Sequence, residues 1–210
     1  FAIFAAAEAD SAVADGPIIS KSVLSDWRKT EQRRKENSVL DYLVVYESET
    51  GNTKKIATEI FSALPGMSKD LINIRERETL PDARIWFVGF CVHMGTCPMK
   101  TGSLLASLSG KAVALFGTCG AGNSPDYYKH IEASSRIWLE DDNLYLGAYF
   151  CQGKMPLQVR QKYEARLQNS EEADAGLIQR QLRNFDEAMI HPSPADCAGA
   201  REFALSVIKF

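Results

Sequence analysis

The sequence predicts a three-layer α/β domain built on a doubly wound, five-stranded parallel sheet. Three observations lead there. Residues 42–46 form an apolar run that stops abruptly in a hydroxyl- and glycine-rich loop. Residues 85–92 and 112–116 are apolar without alternation, the mark of strands buried on both faces. Helical patterns separate the strands, as crossover connections between parallel strands require.

Taken in order, residues 42–46 are the first strand, and the helix that opens at Thr53 places Ile56, Ala57, Ile60, Phe61 and Leu64 at helical spacing before Pro65-Gly66 ends it. Residues 70–75 are shorter and more polar, as expected at a sheet edge. Residues 85–92 belong at the sheet centre, and 112–116 and 144–150 supply the remaining strands. Leu157, Tyr163 and Leu167, then Ile178, Leu182, Phe185 and Met189, trace two helical stripes with an acidic turn over 169–174 between them. Ser193 is the expected N-cap of a closing helix with Pro194 at its first position, burying Cys197, Ala200, Phe203, Ala204, Val207 and Ile208. The domain is expected to span 39–210, with a helical insertion over about 156–190 that serves as packing or as a docking face for a redox partner or second subunit. Residues 1–38 read as a tail or linker whose six basic and six acidic residues leave the whole net charge of −3 to the domain.

A chain of 210 residues with 45% hydrophobic content can bury one full core. The charge of −3 and a pI near 5.7 argue against nucleic acid as a partner. No apolar run approaches the roughly twenty residues of a membrane span. Five cysteines, Cys91, Cys97, Cys119, Cys151 and Cys197, form no C-x-x-C pair or zinc spacing, and their odd number suits a reducing cytoplasm better than a disulfide framework. Cys151 and Cys197 read as small buried hydrophobes. The chain begins with Phe1, as a processed chain or a piece of a longer one would. Ala12-Val13-Ala14 is weakly like a cleavage site, but Glu8 and Asp10 interrupt the stretch and no basic region precedes it, so export is not expected. No acid–base dyad, nucleophile constellation or metal cluster stands out, so a hydrolytic activity is not expected.

In a doubly wound sheet, ligands bind beyond the carboxyl ends of the strands, where strand order reverses. Three loops should meet there. The first, Ser48-Glu49-Thr50-Gly51-Asn52-Thr53, gathers hydroxyl donors around a glycine and opens a helix whose N–H groups and dipole favour an anion, most simply a phosphate. It lacks the lysine and spacing of a Walker loop, since Lys54 and Lys55 come one step later. The second, over 89–100, is apolar and flexible and contains Phe90, Val92, His93, Met94 and Gly95. The third, over 117–126, contains Thr118, Cys119, Gly120, Ala121 and Gly122, with glycines where chain and ligand can touch.

The first loop matches the S/T-x-T-G-x-T pattern of flavodoxins, and the chain resembles that family over about 40–210. Phe116-Gly117-Thr118, Cys151-Gln152-Gly153-Lys154 and His191-Pro192 are similar to a subgroup of small flavodoxin-like proteins of anaerobic bacteria. The resemblance implies the strand order 2-1-3-4-5 and non-covalent FMN, its 5′-phosphate in the first loop on Ser48, Thr50, Gly51, Asn52 and Thr53. It implies a ring between the second and third loops, with a glycine carbonyl, that of Gly95, accepting a hydrogen from reduced flavin N5. Flavodoxins usually sandwich the ring between a tryptophan and a tyrosine. Here Phe90, His93 or Met94 must serve on one side and Tyr127 or Tyr128 on the other, while Trp86 belongs to the core.

The resemblance implies electron transfer to or from a redox partner protein such as a reductase, with the oligomeric state open. Similarity to flavodoxin-like partners of anaerobic reductases extends this to a multi-component reductase, tetrapyrroles such as bilirubin being one substrate class. The alternatives are an NAD(P)H-dependent FMN or quinone reductase and a flavin-free interaction module on the same fold. The second loop has no carboxylate, so a bound flavin should be easier to reduce fully than in an acid-rimmed flavodoxin.

Overall fold

The computed structural model describes residues 39–169 and 171–209, and the expected tail over 1–38 lies outside them. Five strands, β1 (Leu40–Glu47), β2 (Lys69–Asn73), β3 (Ala83–Cys91), β4 (Ala112–Cys119) and β5 (Leu144–Gln152), pair in the order β2-β1-β3-β4-β5, all parallel. The helices are α1 (Asn52–Ala63), α2 (Met99–Ser107), α3 (Pro125–Arg136), α4 (Leu157–Gln168), α5 (Glu172–Ala188) and α6 (Pro194–Val207).

Two cores follow from strand parity, because successive side chains point to opposite faces. Leu43, Val45, Trp86, Val88, Phe90, Val113 and Leu115 pack on one face with Leu105 of α2 and Ile131 of α3. Val44, Tyr46, Phe87, Ala114 and Phe116 pack on the other with Ile56, Ala57 and Ile60 of α1 and Ala200, Ala204 and Val207 of α6. The small residues of α6 let it lie close to the sheet. Its start carries the expected Ser193 N-cap and Pro194, completed by Asp196 as a capping box.

β2 and β5 form the two edges. On β5 the register slips by one residue between the pairs Val113–Tyr145 and Leu115–Ala148, and Gly147 takes φ 104° in the resulting bulge. α4 and α5, which separate β5 from α6 in the chain, pack against each other. The expected α4 stripe is weaker than its pattern suggested: Leu157 is exposed, and Tyr163 and Leu167 are half-buried. α5 does bury Ile178, Phe185 and Ala188, with the Arg160 guanidinium 5.6 Å from the Phe185 ring centre. The acidic turn is shorter than expected, since α5 already begins at Glu172. No described helix is long and apolar enough to cross a membrane.

Of the described glycines, Gly89 has the least room for a side chain. A Cβ there would come 2.1 Å from Cζ of the buried Phe116 ring. Gly89→Ala should therefore cost about 1–3 kcal/mol, the range for overpacking a filled core, read as a lower urea midpoint at unchanged slope.

Candidate functional site

The loop between β1 and α1 is held open by its own hydrogen bonds. Gly51 takes φ 88°, a conformation that L side chains rarely adopt, and is the N-cap of α1. No side chain caps the helix and no acid lies in its first turn, so the positive end of the helix faces outward uncompensated. The Ser48 hydroxyl accepts the Gly51 N–H at 3.2 Å, and the Thr50 hydroxyl accepts the Asn52 amide at 3.0 Å. Each therefore keeps its own proton to donate, and among the described residues no acceptor takes either one. An anionic oxygen would satisfy both. The residues present fit a phosphate group.

Other expected members of this loop have different duties. The Asn52 amide also donates to the Lys154 carbonyl at 2.9 Å, tying the loop to the chain after β5. This needs Gly153, where a Cβ would stand 3.0 Å from the Asn52 amide nitrogen. Thr53 is buried, and its hydroxyl pairs with that of Thr118 on β4 at 2.9 Å, so its side chain braces the loop and only its backbone faces an anion. Glu49 is exposed and turned toward β2, paired with Arg75 at 2.9 Å.

The second loop is shorter than expected, because β3 continues to Cys91. Phe90 shares its parity with Trp86 and Val88 and is fully buried, its ring centre 5.9 Å from that of Phe150. It is a core residue and cannot stack on a flat ring. Val92 is half-buried, and its N–H donates to the Thr118 carbonyl. His93 and Thr96 close a two-residue turn through reciprocal backbone bonds, with Met94 at φ 50° and Gly95 at φ 82°. His93 and Met94 are exposed at its tip and remain available to a ligand. The Gly95 carbonyl accepts the Ser134 hydroxyl at 2.8 Å, so in this structure it faces α3. Thr96 and Cys97 also bond to Ser134 and Ser135. The second loop is thus anchored on α3.

The third loop is likewise shorter. Thr118 and Cys119 are buried members of β4, and only Gly120–Ser124 are free of regular structure. The Cys119 thiol is pushed up to about 12, chiefly by burial and then by nearby Cys91, and lies 3.2 Å from the Gly122 carbonyl. It shapes the loop and does not serve as a nucleophile. Ala121 is exposed, and Gly120 and Gly122 are half-buried. Tyr127 is half-buried beside Gly122, while Tyr128 packs against Phe150.

Sequence reasoning missed two participants. Glu47, only 8% exposed, accepts the Thr101 hydroxyl at 2.9 Å and lies 3.7 Å from Arg75. A carboxylate ending an otherwise apolar strand was the available signal. The second is the brace from α6: Lys55 donates to the Pro192 carbonyl at 2.6 Å and the Lys154 N–H to the His191 carbonyl at 3.1 Å. Asp196 anchors that segment, accepting the Ser193 N–H at 2.5 Å and lying 2.6 Å from the His191 ring nitrogen. Burial opposes its charge, but the Ser193 and His191 hydrogen bonds prevail and hold its carboxyl below the ordinary value. A lowered folded-state value means that the ion stabilises the fold above the unfolded carboxyl's pKa of about 3.9, and that this is lost as pH falls through the folded value. Urea melts should show that acid-side fall, and Asp196→Asn should flatten it while lowering stability at neutral pH.

Comparison with known proteins places this geometry. The family model described as a flavodoxin domain matches residues 43–205. A flavodoxin-like domain-containing protein BilS of Clostridioides difficile is 33% identical over 170 residues, covering 79% of this chain and 95% of that protein. The BilS of Clostridium symbiosum is 28% identical over 187 residues, covering 80% and 96%. Among solved structures, oxidised flavodoxin 2 of Bacillus cereus is 16% identical with a TM-score of 0.44, over 80% of this chain and 98% of its own. With the family model covering most of the sequence and the strand order in agreement, the chain belongs to the flavodoxin family.

Proposed function

We propose that the protein is an FMN-binding electron carrier that passes electrons to or from a partner reductase. The observation that carries this reading is the pair of hydroxyl protons on Ser48 and Thr50 that find no acceptor among the described residues, set beside an uncapped helix start. Bound FMN supplies one- and two-electron chemistry. The chain's part is to hold and orient the cofactor and set the field around it.

Ser48 and Thr50 would donate to the phosphate of FMN, with Gly51 and the first N–H groups of α1 beside it. Tyr127 on the third-loop side and Met94 or His93 on the second-loop side are the surfaces open to a ring. Membership of the flavodoxin family supports the cofactor and the crevice between β1 and β3 supports its position. A cytoplasmic setting accords with five free cysteines, four of them buried.

The test is a titration of the purified protein with FMN, followed by stepwise anaerobic reduction. Saturable binding with one-electron steps supports the carrier. No uptake at micromolar FMN overturns it in favour of an interaction module, and turnover of NAD(P)H by the protein alone overturns it in favour of a reductase. Thr50→Ala should weaken FMN roughly ten- to hundredfold, the loss of one hydrogen bond to a charged group. The loops over 92–98 and 120–124 carry no carboxylate, so the second reduction step should lie at a less negative potential than in a flavodoxin with acidic loops. Spectroelectrochemistry giving an equally low value would refute that electrostatic argument.

A further inference from the structure

At the carboxyl end of β5, Gln152 is 1% exposed, and its side-chain carbonyl has no hydrogen-bond partner. A buried amide left half-satisfied is costly where a leucine would fit, so its remaining bond calls for an explanation. That bond runs from Gln152 Nε2 to Asn184 Oδ1 on α5 at 3.0 Å, and Asn184 Nδ2 donates in turn to the Gly120 carbonyl at 2.7 Å. The order of the chain matters. By presenting a donor, Gln152 fixes which end of the Asn184 amide turns toward it, and so obliges the other end to be a donor to the third loop.

The Gly120–Ala121 peptide is trans, so its N–H points opposite to its carbonyl. With the carbonyl drawn to α5, the Ala121 N–H faces away from α5. Gly120 follows the carboxyl end of β4, the neighbour of β3, on the edge where a doubly wound sheet holds its ligand. Gly120 lies against the Met155 side chain, which a Cβ there would approach to 2.4 Å. Asn123 makes a second tie to the same helix, its amide 3.2 Å from Glu187.

We infer that Gln152 and Asn184 are positioning residues: they lock the Gly120–Ala121 peptide with its N–H toward the cofactor crevice, so that α5 sets how the flavin ring is held. This rests on the FMN reading above. It gives the α4–α5 pair a role in the site itself, beyond packing, through side chains that touch the loop and not the ligand.

The experiment compares wild type, Asn184→Ala and Asn184→Asp. Asp retains the acceptor for Gln152 but sets a carboxylate against the Gly120 carbonyl. In the FMN-free proteins, the Ala121 amide is followed by proton–nitrogen correlation spectra and hydrogen exchange. The expected result is a shifted or doubled Ala121 signal in both variants, larger in Asn184→Asp, with the strand amides unchanged. With FMN, both variants should bind roughly tenfold more weakly and show a displaced reduction potential, whereas loss of packing alone would leave the potential in place. An unaltered Ala121 amide overturns the relay whether or not FMN binds. Wild type that takes up no FMN overturns the functional reading, and the amide result still decides the relay. Altered amides with unchanged affinity and potential overturn the link from α5 to the ring.

Discussion

The 2.9 Å bond between the Thr53 and Thr118 hydroxyls joins the first turn of α1 to the end of β4, two segments 65 residues apart. Both groups are buried, so losing either leaves the other without a partner in a place water does not reach. The bond crosses β3, which lies between β1 and β4, and fixes the height of the anion loop relative to the neighbouring strand ends. The Asn52 amide repeats the device toward Lys154, and the Lys154 N–H passes it on to the start of α6. The loop that faces solvent is therefore shaped from beneath. The Ser48 and Thr50 hydroxyls each accept one bond from within the loop and have their own protons left to donate.

The same division of labour runs along the whole edge. The first loop is braced by β4, the chain after β5 and α6, the second by α3, and the third by α5 and Met155. The supports meet at two places, Thr118 of β4 for the first and second loops and Lys154–Met155 for the first and third. A ligand spanning the three would sense changes in elements that never touch it.

Much of this was legible in the sequence, and the reasons separate the two halves. The strands and the closing helix follow from patterns that are local and periodic, the first loop is a contiguous motif, and the strand order came with the resemblance which that motif carries. Phe90 was misplaced because the end of β3 was read from composition, where strand parity with Trp86 and Val88 would have sent the ring inward. Thr53 looked like a ligand because a hydroxyl in a motif gives no sign of whether it points up or down. The roles of Asn184 and Gln152 had no local signature. They arise from a packing of α5 on the third loop that pairs residues 64 positions apart.

The bulge on β5 also bears on how this protein lives among others. An edge strand offers a row of unpaired backbone groups on which a foreign strand can zip. Gly147 breaks that row midway and twists it, so an incoming chain could match only half its length before falling out of step. An outer margin that resists strand addition guards the molecule against edge-to-edge association, at the cost of one glycine in β5.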